Sequence, residues 1–148
     1  MKKLLLTMSL AVVTLLVFAN PPKKNNKKQS FSYAAAQELS KMYGEVENLR
    51  WSESKENLIR ADFQIDGQNF STFFDRAGGF VATTHEVSFE QLPAMARKPL
   101  KVKFQGIEFS KMVHYQSNDT ESYFVEVVEE GVTSIYKVTS EGSISLFK

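Results

Sequence analysis

Between Phe31 and Tyr43 the apolar residues Phe31, Ala35, Leu39 and Met42 recur at spacings of four, four and three, which is one face of a helix. Ser30 or Ser32 is placed to cap its start, and Gly44 to end it in the left-handed conformation. Beyond Gly44 the period drops to two. Val46 to Trp51 and Leu58 to Ile65 read as strands; in the second, Ala61, Phe63 and Ile65 alternate with Arg60, Asp62 and Gln64, so one face is dry and the other wet. The pair Asp66-Gly67 predicts a tight hairpin into a third strand from Asn69 to Asp75. The stretch FFDRAGGF then turns the chain at Gly78 into a fourth strand, Phe80 to Glu86. Strands lie on both sides of these glycines. A phosphate-cradling loop needs them between strand and helix, so Gly78 reads as a backbone requirement.

The second half follows the same plan. In SFEQLPAMARK, Ser88 with Gln91 resembles a capping box and Pro93 suits a first helical turn, which predicts a helix from near Ser88. Pro99 is expected to kink or stop it near Lys98, because an interior proline removes a hydrogen bond and crowds the preceding turn. Strands are expected from Ile107 to Tyr115, Tyr123 to Glu129, Val132 to Val138 and Ser143 to Phe147, with the polar QSNDTES between the first two. A shift of 64 residues places Gly67 on Gly131, Gly78 on Gly142, Phe63 on Val127, Phe74 on Val138, Phe80 on Ile144 and Trp51 on Tyr115. Turn glycines and apolar phase agree across three strands, which reads as an internal repeat.

Composition adds the setting. The chain has 148 residues, 43% of them hydrophobic, enough for a core of its own. Lys2 and Lys3 precede an apolar run from Leu4 to Phe18 that ends in the small-residue positions Val17 and Ala19, so residues 1–19 read as a secretory signal peptide. The competing reading is an uncleaved membrane anchor, since about 18 to 20 apolar residues span a bilayer; the polar, proline-containing flank favours cleavage. Residues 20–30 carry Lys23, Lys24, Lys27 and Lys28 with almost no apolar residue and read as a flexible basic leader. Cysteine is absent, so no disulfide supports the fold. From Gln29 onward 12 Lys and Arg face 17 Asp and Glu, and a body acidic by five charges is a poor nucleic-acid binder. The expected location is periplasmic or secreted, with no membrane span once the signal is removed.

Tyr43, the strand from Val46 to Trp51, Phe63, the FFDRAGG hairpin with Phe74, Asp75 and Gly78, and Leu92-Pro93 opening a helix, in that order, resemble the PepSY-like family. That family is also described as beta-lactamase-inhibitor-protein-like (BLIP-like) and is common among small exported proteins of Bacteroidota. The resemblance covers about residues 31–148. It implies an α+β fold of two tandem helix-plus-four-strand units, residues 31–87 and 88–148, whose strands join into one curved eight-stranded antiparallel sheet with the helices on one face. It also implies binding or inhibition rather than catalysis, with a protein or peptide partner, possible targets being a peptidase or other hydrolase.

The residues themselves carry no catalytic signature. There is no G-x-S-x-G elbow or S-x-x-K motif. His85, Glu86 and His114 could meet a metal only if their strands were adjacent, and neighbours on one strand face opposite ways. Glu129-Glu130 before Gly131 read as solvated turn residues. No enzyme activity, cofactor or metal is therefore expected. Alternation places Phe73 on the sheet face away from the helices, and the same phase places Phe124, Glu126, Val128, Ile135 and Lys137 there. Apolar residues on an open sheet face mark an interface unless curvature, the leader or a second copy covers them. Phe73, Phe124 and Ile135, with Trp51 and Tyr115, are the candidate partner-binding residues. The alternative is a structural, envelope-associated protein tethered by the basic leader.

Overall fold

The computed structural model describes residues 33–54 and 56–148. The signal segment, the leader and the expected start of the first helix at Phe31, with its Ser30 or Ser32 cap, lie outside them. Helix α1 runs Tyr33–Tyr43, followed by β1 (Glu47–Glu53), β2 (Ile59–Ile65), β3 (Gln68–Phe74) and β4 (Phe80–Glu86). A 3-10 turn, Phe89–Gln91, leads into α2 (Ala94–Lys103), and then come β5 (Phe109–Ser117), β6 (Glu121–Glu129), β7 (Val132–Thr139) and β8 (Ile144–Leu146). The strands form one open eight-stranded antiparallel sheet in chain order.

Local chemistry explains the boundaries. Gly44, at φ 71°, closes α1 and donates its N–H to Ser40 O at 2.9 Å. Asp66 and Gly67 both take positive φ, 51° and 76°, the two-residue hairpin geometry that matches strand twist. Glu130 and Gly131 do the same at 51° and 80°. Gly78 and Gly142 share a φ of 92°, and each lies against a helix. A Cβ built on Gly78 would stand 2.5 Å from Ala34 Cβ and 2.6 Å from the Ala35 nitrogen; one on Gly142 would strike the Met95 carbonyl oxygen.

Three expectations about the helices are corrected. The segment from Ser88 is not the start of α2: Ser88 N–H donates to Gln91 Oε1 at 2.7 Å and caps the separate 3-10 turn, while Pro93 caps α2 itself. Nor does α2 stop at Lys98, for Pro99 lies inside it and the helix continues to Lys103. One missing N–H frees only the Met95 carbonyl, four residues back, whereas Ala96, Leu100 and Phe104 are buried and hold the segment to the sheet. In α1, Ala35 and Leu39 are buried as the period requires, but Met42 is exposed.

Buried side chains fall into three clusters. Ala35 and Leu39 of α1 pack with Ala61, Phe63 and Phe74, joined by Tyr43, Trp51 and Phe70. Leu92, Ala96, Leu100 and Phe104 pack with Met112, Tyr123, Val125, Val127 and Val138. The third cluster, Leu58, Phe73, Ala82, Tyr115, Phe124 and Ile135, contains no helix residue. No helix among the described residues is long and apolar enough to cross a membrane.

Candidate binding face

Register identifies what accompanies the third cluster. Phe73 pairs with Arg60 on one side and Ala82 on the other, Arg50 with Asp62, and Asp62 with Ser71. Paired residues share a face of the sheet, so the polar positions of β1 to β3 lie beside Phe73. Phe63 and Phe70 alternate away from it, into the cluster of α1.

The apolar part is closed on itself. Tyr115 and Phe124 meet edge to face at 6.1 Å, and Phe124 meets Phe147 in the same manner at 5.1 Å. Ile135 N–H donates to Lys148 O at 2.6 Å and Phe147 N–H to Ile135 O at 2.7 Å, so the carboxyl-terminal residues extend the sheet edge and lay Phe147 over the cluster. The result is a dry floor rather than an exposed patch.

Next to it lies a polar groove of about 750 Å3, lined by residues that include Arg50, Arg60, Asp62, Ser71, Phe73 and Lys111. Arg60 sits 5.8 Å above the Phe73 ring, donates from Nε to Asp62 Oδ1 at 2.7 Å and from Nη2 to Ser71 Oγ at 3.1 Å. Ser71 Oγ also donates to Asp62 Oδ1 at 2.5 Å, closing a three-residue network on a half-buried carboxylate. Such a network fixes the guanidinium over the ring. Lys111 pairs with Glu86 at 2.8 Å. At the far end Asn48 Nδ2 donates to Gln64 Oε1 at 2.6 Å and Gln64 Nε2 to Asn69 Oδ1 at 2.8 Å, an amide relay across three strands. Chemically the groove offers fixed donors and acceptors beside an apolar floor. Each of its carboxylates is already held by a cation.

Of the sequence-predicted residues, Phe73, Tyr115, Phe124 and Ile135 come together in one cluster. They are not exposed: Phe73 retains 1% of its surface, Phe124 6%, and Tyr115 and Ile135 8% each. These four are thus buried within the chain, whereas Val128, expected on the same face, is exposed. Trp51 stands apart, 6.0 Å from Phe74 beside the α1 cluster. Its equivalence to Tyr115 is corrected by register: Trp51 pairs with Ala61, and Val125, 64 residues on from Ala61, pairs with Met112. Arg60, Asp62 and Ser71 were not singled out by sequence reasoning. For Arg60 and Asp62 the signal was present in LIRADFQI, whose wet face they form with Gln64; Ser71 lies on β3, opposite Asp62.

The histidines do become neighbours. His85 on β4 pairs directly with His114 on β5, their rings edge to face at 4.9 Å, and Phe70 lies 4.7 Å from His85 on the other side. Burial first, and the adjacent His114 second, hold the His85 pKa below its ordinary value. His114 Nε2 lies 2.8 Å from Glu121 Oε1, which also accepts from the Tyr123 hydroxyl at 3.3 Å. Glu86 points to Lys111 instead, and no trio of His, Asp or Glu among the described residues is placed to hold a metal ion.

No protein-family model and no curated protein sequence matches this chain. The fold is similar to solved structures from Bacteroides. A DUF2874 family protein from Bacteroides ovatus ATCC 8483 matches at TM-score 0.71 and 15% identity over 80% of this chain and 89% of that one. A BLIP-like protein from Bacteroides fragilis NCTC 9343 matches at 0.71 and 20% identity over 79% and 84%. A candidate periplasmic protein from Bacteroides eggerthii DSM 20697 matches at 0.71 and 16% identity over 78% and 86%. At these identities the likeness is one of fold.

Proposed function

We propose that this chain is an exported, non-catalytic binding protein of the PepSY-like and BLIP-like kind that takes a protein or peptide segment on the sheet face opposite its helices. In this reading it is a tandem of two helix-plus-four-strand units, cleaved after Ala19 and working in the periplasm or outside the cell. The order of elements, helix and four strands twice over, supports the tandem. So does the row of paired residues Phe63, Phe70, His85, His114, Tyr123 and Val138, which runs from the α1 cluster to the α2 cluster across the sheet. The likeness to a BLIP-like protein and to a candidate periplasmic protein supports the binding role and the location.

One observation carries the proposal: the face without helix residues joins a preformed apolar floor to a groove of fixed polar groups. Preorganised donors cost little further ordering when a partner arrives. Phe73, Phe124, Ile135 and Tyr115 then act as the floor under the site and Trp51 supports the opposite side. The contact is made by the groove residues Arg50, Arg60, Asn69 and Lys111. Ion pairing of Asp62 with Arg60 and of Glu86 with Lys111 weighs against acid-base chemistry, which needs carboxyls of opposed pKa.

A photo-crosslinking residue placed at Asn69, in living cells, should yield a discrete adduct with a protein or peptide. The same residue at Met42, on α1, should not. Equal labelling from both positions, or none from Asn69, would remove the sheet face as the site.

A further inference from the structure

Helix α2 raises a separate question. Its sequence AMARKPLKVK holds Arg97, Lys98, Lys101 and Lys103 and no acid. That is four of the 12 basic residues in a body acidic by five charges. No ion pair among the described residues involves any of the four. Arg97 Nε is buried without a hydrogen-bond partner, while Lys101 and Lys103 rest over the rings of Phe89 and of Phe104 and Tyr136. Cations in the last turn complement the helix dipole, which accounts for Lys101 and Lys103. It does not account for Arg97 or Lys98.

The outer face is also apolar where solvation would favour polar residues. Met95 is 65% exposed and Val102 76%. At helical spacing Met95, Lys98 and Val102 form one stripe, opposite the buried Ala96 and Leu100, and Lys101 lies beside it. Cations alone would suit any polyanion. Cations interleaved with protruding apolar side chains suit a surface that is anionic outside and apolar a few ångströms below. Glu90 precedes the helix, and Glu141 adjoins Gly142, which packs against Met95 and Pro99.

We propose that the outer face of α2, formed by Met95, Lys98, Lys101 and Val102, docks on an anionic lipid surface. The α2 residues share no member with the Phe73 cluster, so docking there leaves the proposed binding groove free. This surface stands or falls independently of the groove.

The absence of cysteine allows a single reporter. The full chain carrying Val102→Cys, labelled with an environment-sensitive fluorophore, is mixed with vesicles of phosphatidylcholine alone or with phosphatidylglycerol added. A parallel chain carries the label at Val132→Cys, an exposed site in the β6–β7 hairpin. Emission at position 102 should rise with the anionic vesicles only, and position 132 should stay unchanged. Adding Lys98→Gln and Lys101→Gln should weaken the response by about 25-fold, since each cation near such a surface is worth about fivefold. Replacing Lys23, Lys24, Lys27 and Lys28 by Gln should leave a response at position 102. The proposal is overturned if vesicles bind without change at position 102, which would assign binding to the leader or the α2 cations to an acidic protein. A rise at both labels, or one that survives loss of Lys98 and Lys101, overturns it equally.

Discussion

The Tyr43 hydroxyl lies 2.6 Å from the Thr83 hydroxyl, joining the last residue of α1 to the fourth strand. Thr83 Oγ1 is in turn 2.8 Å from Thr72 Oγ1, so two buried hydroxyls and the phenol form one polar group beneath the helix. Tyr43→Phe removes one member and leaves the Thr72 to Thr83 bond, so the cost should be about 1 kcal/mol. Urea denaturation of Tyr43→Phe, Thr83→Val and the double variant should show coupling between the two sites. Strict additivity would mean that the contact contributes nothing.

Gly78 and Gly142 should be the least replaceable glycines. Each combines positive φ with a helix backbone in the space of a Cβ. Gly44 and Gly67 have positive φ but open space around that position. Alanine at either of the latter should cost about 1 kcal/mol, from the backbone alone. At Gly78 or Gly142 the helix must also move, and the loss should exceed about 2 kcal/mol. Thermal unfolding of the four alanine variants would rank them. Equal losses would show that the helices give way.

These glycines also show what the sequence made legible. The eleven-residue spacing of Gly67 and Gly78, repeated in Gly131 and Gly142, and the alternation around them set the strands, the hairpins and the side on which Phe73 lies, because period and turn chemistry are local. Burial of Phe73, Phe124 and Ile135 was not legible. It depends on Leu58 and Phe147, distant in sequence, packing into the same cluster. The mismatch of Trp51 and Tyr115 arises in hairpin length: ten positions separate Trp51 from its partner Ala61 and thirteen separate Met112 from Val125, so the longer β5–β6 hairpin moves the register by three residues. Pro99 is held inside α2 by the packing of Leu100 and Phe104, which helix propensity alone does not contain.

Acid should destabilise the fold through His85. Burial and then His114 depress its pKa below the ordinary 6.5, so the unfolded chain takes up a proton at higher pH than the folded one. The stability associated with neutral His85 is complete above that ordinary value and is lost progressively as pH falls below it. His85→Gln should flatten the difference between urea midpoints at neutral pH and at mildly acid pH. An unchanged pH dependence in that variant would assign acid sensitivity to carboxylates.

Floor and rim of the groove should respond differently to substitution. Phe73→Ala empties a site with 1% exposure and should cost about 3 to 5 kcal/mol. Phe73→Ser should cost at least as much, so lost binding in either variant would report unfolding. Arg50 is exposed, and Arg50→Ala should change stability by no more than about 0.5 kcal/mol. Circular dichroism melts distinguish the two. An intact Phe73→Ser fold would reopen the floor as a contact surface.

The β6–β7 hairpin carries a correctable strain. Glu130 holds φ 51° at the first central turn position, where the equivalent turn of the first half has Asp66 at the same angle. Left-handed backbone is costly for a long side chain and is tolerated best by Gly, Asn and Asp. Glu130 is exposed and beside Glu129, so the side chain contributes no packing, and the adjacent charges repel. Glu130→Asn should therefore stabilise the chain by several tenths to about 1 kcal/mol. The gain should appear as a higher urea midpoint at unchanged slope, and Glu130→Ala, which relieves the charge but not the backbone, should recover less. If the alanine variant gains as much, repulsion rather than conformation is what Glu130 costs.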